Sequence, residues 1–433
     1  MNNISGKNRE ADENLIYHSP APEGEFPIIA SSLKYDNGDD KLPLVDLQLL
    51  KDGKFNVCMQ NRITIGDITV SFQNAILSKE KLIFSNGYFT TDISQFITSL
   101  TQLAFGGFHI ADEPSKEELE KNSDTWDFYW SILQQTKKFL MYINLNGFQN
   151  NEDSNKTLED NLSDYKKNYL DVYQKNFNPS FFSFDYYPIG EYIGLIYEGL
   201  GVPPLGYYEG EIVNYPLYFT NLKLFSEYSK SHARPFWTVC LSMCMMKLDV
   251  RDFRPKVLEQ YIRFQAFTAL AYGSQGLVYW TYGMRPSSEN NNEKYFSALL
   301  DRNDKPTASW YFAKKINEEI QEYRYIFLDS TVKLTVHEAI RFISEAGVSL
   351  TLIAGTGKSI IISLIKTRDN ETYMVIVNED YLNYQEIRIN ITNGSLVEKT
   401  PLRSGGDKNL RLTGNNSRIL IPGGYRIFLF QGS

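Results

Sequence analysis

Residues able to do chemistry recur in this sequence at one kind of position, the last few places of short apolar runs. Asp112 and Glu113 close one run, and Asn144 and Asn146 the next. Asp185, Tyr186 and Tyr187 close a third, Trp237 and Ser242 belong to a fourth with Asp249 and Asp252 beyond it, and Trp280 and Tyr282 end a fifth. Aromatic faces stack on the apolar faces of sugar rings, amides bond sugar hydroxyls, and two carboxyl groups can flank a scissile glycosidic oxygen. The set therefore reads as a carbohydrate site with Glu113 and Asp185 as its catalytic candidates. Asp112, Asn144, Tyr186, Tyr187, Trp237, Trp280 and Tyr282 are its candidate substrate contacts. For Glu113 the plainer alternative is a helix N-terminus: Ser115 and Glu118 have capping-box spacing, and acidic residues are favoured there by the dipole. For Asp185 it is a structural carboxylate, and His109 reads as a satisfied core histidine.

Positioning these groups at one mouth requires the runs to be neighbouring strands. Eight runs, at 27–32, 55–60, 81–86, 107–113, 139–144, 181–188, 235–243 and 276–282, are mostly continuous in apolar character, as expected for strands covered on both faces. Segments long enough for helices separate them, with amphipathic stretches at 39–51, 257–271 and 308–323. This is the pattern of a (β/α)8 TIM barrel, whose functional groups sit at the carboxyl ends of the strands. No glycine-rich fingerprint follows the first run, which argues against a doubly wound sheet. Residues 1–25 read as a flexible leader, 26–325 as the barrel, and 331–433, with alternating stretches and NG, SGG, GNN and PGG turns, as a C-terminal antiparallel β-sandwich. The Gly/Pro/Tyr-rich segment 190–215 is expected to lie over the barrel mouth.

Other classes are set aside by composition. The 44 Lys and Arg against 52 Asp and Glu give a net charge of -8, unsuited to a phosphate backbone, so no nucleic acid partner is expected. No run of about 18 apolar residues is present, so no membrane-spanning helix is expected. Four histidines and three cysteines without ligand spacing imply no structural metal, and no cofactor is expected. The stretch GTGKS at 355–359 lacks the earlier glycine of a phosphate loop, where Leu352 stands, and is followed by strand pattern, so it reads as a hairpin turn. The polar start MNNISGKNREADENLIYHSP has no basic-then-apolar pattern, leaving localisation and oligomeric state open.

The pieces GGFHIADEPS, SFDYYPIGEY, RPFWTVCLSM, RFQAFTALAYGSQGLVYWTYG and LLDRNDKPTASW resemble barrel proteins of the clan A glycoside hydrolases, above all bacterial enzymes similar to family 42 β-galactosidases. The resemblance covers about residues 26–323. It implies a general acid/base at Glu113, an aromatic platform at Trp280, and a periplasmic or secreted location. It also implies a nucleophilic Glu at the end of the seventh strand, where this chain reads PFWTVCLSM without an acid. The second carboxyl must then come from elsewhere, with Asp185 the first candidate and Glu191, Glu209, Glu211, Asp249 and Asp252 in reserve.

The expected function is hydrolysis of O-glycosidic bonds in an oligo- or polysaccharide, with Glu113 as general acid and Asp185 as base or nucleophile. The alternatives are a non-catalytic carbohydrate-binding barrel that has lost one carboxylate, and a structural component using the barrel as a scaffold.

Overall fold

The computed structural model describes residues 19–31, 44–60, 81–85, 105–121, 126–127, 140–149, 156–188, 215–246, 259–283, 294–296, 298–301, 303–355, 359–381, 383–400 and 409–432. The expected mouth segment at 190–215, the leader before residue 19, and Asp249 and Asp252 lie outside these.

Eight parallel strands close into a barrel: β1 (Ile28–Ser31), β2 (Val57–Gln60), β3 (Lys81–Ser85), β4 (Phe105–Asp112), β5 (Leu140–Asn146), β6 (Phe182–Asp185), β7 (Phe236–Leu241) and β8 (Leu277–Trp280). Each overlaps one of the eight runs read from the sequence. The ring is completed where Ile29 of β1 pairs with Val278 of β8. Successive side chains of a strand point to opposite faces, which divides the strand residues into two sets. Ile29, Val57, Met59, Leu140, Tyr142, Trp237, Val239 and Val278 meet inside the barrel. Their neighbours Ile28, Ala30, Cys58, Ile143, Leu145, Phe182, Phe184, Cys240, Leu277 and Tyr279 pack outward against the helices. Burial of this kind contributes roughly 1.5–3 kcal/mol per large apolar side chain.

Strand β4 departs from the regular pleat. A Cβ on Gly107, at φ 146°, would lie 2.1 Å from the Leu140 carbonyl oxygen, so only glycine permits β4 to approach β5 this closely. Beyond it the pairing with β5 shifts between His109 and Ala111. Such a bulge re-aims the side chains that follow. Ile110 and Ala111 consequently both pack against the outer core, and parity returns Asp112 to the same face as Asn144, its register partner.

The described helices include α1 (Leu44–Asp52), α2 (Leu158–Tyr165, continuing through a π turn, Lys166–Leu170, to Asp171–Phe177), α3 (Tyr215–Ser231), α4 (Glu259–Ala271) and α5 (Ala308–Glu322), the last followed by a single turn, Arg324–Phe327. Thr157 begins α2 with a capping box to Asp160. Helix α5 buries Trp310, Ala313, Ile316 and Ile320 at helical spacing. Helix α4 is buried from Tyr261 to Ala271, because strands of the C-terminal domain cover the face that the barrel leaves open.

That domain has ten strands in two antiparallel sheets. They are β9 (Thr331–Glu338), β10 (Ile340–Glu345), β11 (Val348–Ala354), β12 (Ile360–Lys366), β13 (Thr372–Val377), β14 (Gln385–Asn393), β15 (Ser395–Lys399), β16 (Asn409–Leu412), β17 (Asn415–Leu420) and β18 (Tyr425–Gln431). One sheet runs β9-β12-β13-β18-β15-β16 and the other β10-β11-β14-β17, with a dry core between them that includes Leu350, Leu352, Ile362, Met374, Ile389 and Phe428.

Two expectations change here. Residues 356–358 of GTGKS lie outside the described residues, and the strands on either side of it, β11 and β12, belong to different sheets and so do not form the expected hairpin. Packing also begins before residue 26: Ala21 is buried in the interior cluster of the barrel, and Glu25 accepts a 3.0 Å hydrogen bond from Asn56 Nδ2.

Candidate active site

At the carboxyl ends of β4, β5 and β6 the alternation of the pleat brings a line of polar groups to the inner face. Ser183 Oγ lies 3.1 Å from both Tyr142 OH and Asn144 Oδ1. Because an amide oxygen can only accept, the Ser183 proton goes to Asn144 and the Tyr142 hydroxyl donates to Ser183. Asn144 Nδ2 in turn donates to Asp112 Oδ1 at 3.0 Å. The chain Tyr142, Ser183, Asn144, Asp112 crosses three strands and ends on a carboxylate at the mouth. Beneath Asp112, the His109 ring lies tilted against Tyr142 with centroids 4.7 Å apart. Burial pushes the His109 pKa down, against the opposing pull of Asp112. Its ring bonds the Ala111 backbone, and its Nε2 has no hydrogen-bond partner among the described residues.

Glu113 follows directly and is exposed, with φ 46°. A non-glycine residue in this region carries strain that its surroundings must hold. Here the hold is a 2.8 Å bond from its backbone N–H to the Asn144 carbonyl, followed by the capping box in which Ser115 N–H bonds Glu118 at 2.8 Å and Glu118 N–H bonds Ser115 Oγ at 3.2 Å. Tyr169 of α2 donates to the Pro114 carbonyl at 2.7 Å and accepts from the Asn146 N–H at 3.3 Å, tying the turn after β4 to the end of β5. The capping box fixes the turn that carries Glu113.

Asp185, at the end of β6, is only 9% exposed. Its Oδ2 accepts from Tyr187 OH at 3.3 Å, and no donor among the described residues reaches Oδ1. The Glu113 carboxyl is within hydrogen-bonding reach of it. A bond between two carboxyl groups requires a proton on one of them. Burial first, then the charge and hydrogen bond of Glu113, then the charge of Asp112, push the Asp185 pKa well above the usual carboxylate range. Both effects favour the protonated form of Asp185, with the exposed Glu113 facing it.

Trp280 and Tyr187 are half-buried at the same end of the barrel, packed on its interior cluster and on the patch of Leu241, Met243 and Ala298 beyond β7. The seventh strand thus ends in apolar side chains where the resemblance implied an acid. The Trp280–Thr281 peptide bond is cis.

Three of the expected contacts fall elsewhere. Trp237 points inward but is fully buried in the lower layer, with Phe181 4.5 Å away by ring centroids, and a Cβ on Gly276 would come within 2.6 Å of its ring. Tyr186 has the opposite parity from Asp185, and Tyr282 lies two residues beyond the end of β8 at Trp280; both are buried in the outer core, Tyr282 edge-on to Phe55 at 5.3 Å. Asp112, Glu113, Asn144, Asp185, Tyr187 and Trp280 do share the mouth end. Tyr142, Ser183 and Tyr169 join the site unannounced. Residues 142 and 183 were accessible to parity counting from Asn144 and Asp185, whereas Tyr169 comes from α2 and had no sequence signal.

No protein-family model matches this chain, and neither does any curated protein sequence. Among solved structures it is similar to the GH51 arabinofuranosidase of Xanthomonas axonopodis pv. citri, at 8% identity over 95% of this chain and 96% of that one, with a TM-score of 0.45. It is also similar to the endo-1,4-beta-mannanase of Rhizomucor miehei, at 12% identity over 67% and 94% with a TM-score of 0.37. A truncated 3-deoxy-D-arabino-heptulosonate 7-phosphate synthase of Thermotoga maritima aligns at 11% identity over 70% and 88% with a TM-score of 0.34. At such identities and scores no activity carries over from any of them.

Proposed function

We propose that the protein is a glycoside hydrolase acting on O-glycosidic bonds of an oligo- or polysaccharide, with Glu113 and Asp185 as its carboxyl pair. The observation that carries this reading is the asymmetry of the pair, one carboxyl buried with its pKa pushed up, the other exposed and facing it, beside the half-buried rings of Trp280 and Tyr187. Two environments that push two carboxyls apart are the pattern by which acid and base roles are divided at one pH.

The division reverses the expected one: Asp185 serves as the acid that protonates the leaving oxygen, and Glu113 as the base or nucleophile. Carboxyls in bonding reach are closer than the roughly 5–5.5 Å of retaining sites. A glycoside must therefore enter between them, and Glu113, exposed at the mouth, is the side chain with room to swing. The line Tyr142, Ser183, Asn144 holds Asp112 beside the pair, where its charge keeps the Asp185 proton in place. Trp280 would support the sugar ring.

The apolar end of β7 favours the second reading, a carbohydrate-binding barrel without turnover. Sugar release from a panel of aryl glycosides and polysaccharides, by wild type, Glu113→Gln and Asp185→Asn, separates the two. Turnover lost by about 10²-fold or more in both variants supports the hydrolase. Saturable sugar binding with no turnover in any of the three supports the binding barrel, and turnover that survives both substitutions overturns the site.

A further inference from the structure

At the opposite end of the barrel, where β7 and β8 begin, a cleft of about 610 Å³ opens between the ends of α3 and α4 and the segment that enters the C-terminal domain. This is within the usual range of small-molecule sites. Its wall includes Ser229, Lys230 and Arg234 from the α3 end, Gln275 ahead of β8, and Asp329 and Ser330 from the entering segment.

The wall offers donors because its carbonyls are already occupied. Helix α3 ends in a Schellman motif: Ala233, at φ 51°, turns the chain so that its N–H bonds the Lys230 carbonyl at 3.2 Å and the Arg234 N–H bonds that of Ser229 at 3.0 Å. Helix α4 ends the same way, Gly273 to Leu270 and Ser274 to Ala269, both at 3.0 Å. Ser226 Oγ caps the Tyr272 carbonyl at 2.7 Å, and Ser330 Oγ and Gln275 Nε2 cap Phe327 at 2.8 and 2.7 Å. The amide oxygen of Gln275 accepts from the Asp329 N–H at 2.8 Å. Against this background Ser229, 3% exposed, has a hydroxyl with no partner among the described residues. The Schellman turn brings the Arg234 backbone onto the Ser229 carbonyl, and Arg234 and Lys230 both line the cleft beside this residue. Asp329, the carboxylate among the described lining residues, is exposed.

We infer that this cleft binds an oxyanion, the phosphate or carboxylate group of a small metabolite, between Arg234, Lys230 and the Ser229 hydroxyl. A cation in the last turn of a helix is also favoured by the dipole, which accounts for Lys230 alone. It does not account for a buried hydroxyl without a partner, or for a cleft of ligand size over it. Burial pushes the Arg234 pKa down, and a bound anion would act in the opposite direction. Because Asp329 and Ser330 belong to the connection between barrel and sandwich, occupancy would also brace that connection.

The test is calorimetric titration at fixed ionic strength with inorganic phosphate and glucose 6-phosphate in one arm, and acetate and glucuronate in the other. Saturable binding in either arm is expected, and the stronger arm names the source of the oxyanion. Arg234→Gln and Lys230→Gln should each weaken it by about tenfold, the scale of a lost charge-assisted hydrogen bond. Ser229→Ala should also weaken it, and Lys223→Gln, 70% exposed on the same helix, should leave it unchanged. Lys230 is exposed, so a misfolded Arg234→Gln protein would not remove the test. No saturable binding of any probe overturns the site. So does binding weakened equally by Lys223→Gln, which would be an effect of overall charge.

Discussion

Asp185 is buried at the end of β6 with the exposed Glu113 carboxyl facing it, and Asp112 stands beside them as a second source of negative charge that pushes the Asp185 pKa up. If Asp185 is the acid, activity falls as pH rises through its pKa. Replacing Asp112 by Asn removes one of the charges that push that pKa up, while the side-chain oxygen can still accept from Asn144. The alkaline limb of kcat/KM is therefore expected to move to lower pH in Asp112→Asn. A limb that stays in place, or moves to higher pH, would assign the proton to another group.

The upward push on the Asp185 pKa has a cost in stability. The folded-state pKa of Asp185 is raised, so between the ordinary carboxylate value and the raised one the native state holds a proton that the unfolded chain has released. Stability then falls as pH rises through that window and stays lower above it. Asp185→Asn removes the titration while keeping a donor toward Glu113. At pH 7 it should raise Tm, by on the order of 2 °C, with the gain shrinking toward pH 3. Thermal melts of wild type and variant at both pH values check this, and a variant less stable than wild type at pH 7 would contradict it.

The barrel and its mouth were legible because both faces of each strand are buried, which leaves continuous apolar runs ended by polar residues. What could not be read was depth and parity. Trp237 has the right parity but begins its strand, so it fills the lower layer; Tyr186 and Tyr282 lie near strand ends but face the helices. On β4 simple alternation from His109 would have turned Ala111 and Glu113 inward. The shift after His109 instead turns Asp112 inward, and such a shift has no reliable sequence mark. The upward push on the Asp185 pKa was equally hidden, because it depends on burial and on a contact between strands that are not adjacent in sequence.

The two tryptophans are expected to separate binding from folding. Trp280→Ala should lower kcat/KM on glycosides by at least about tenfold, with little change in the unfolding midpoint, because the ring is half-buried at the mouth. Trp237→Ala should cost about 3–5 kcal/mol of stability through the cavity it leaves against Phe181 and Gly276. Kinetics and urea melts of both proteins would expose a reversed assignment directly.

The barrel is fastened to the sandwich through a buried ion cluster, and its response to mutation should be one-sided. Arg263 of α4 is 3% exposed; its Nη1 and Nη2 reach Glu319 Oε2 and Oε1 of α5 at 2.6 and 2.9 Å, and Nη2 also reaches Glu259 at 2.9 Å. Tyr425 of β18 donates to Glu319 at 2.9 Å and stacks on Phe267 with centroids 3.5 Å apart. Removing the guanidinium leaves Glu319, whose side chain is 14% exposed, as an uncompensated charge among apolar groups. Arg263→Ala is therefore expected to cost about 3–5 kcal/mol, whereas Arg263→Met combined with Glu319→Leu should recover most of the loss, since desolvation offsets much of what the pair gains. Tyr425→Phe should cost only about 1 kcal/mol, one hydrogen bond with the stacking kept. In urea melts Lys315→Ala serves as the reference, because that ammonium reaches the same Glu259 at 2.9 Å from a 56% exposed position, where a pair contributes little. If Arg263→Ala costs no more than Lys315→Ala, the cluster is not what couples the two domains, and the aromatic contact of Tyr425 with Phe267 is left to do so.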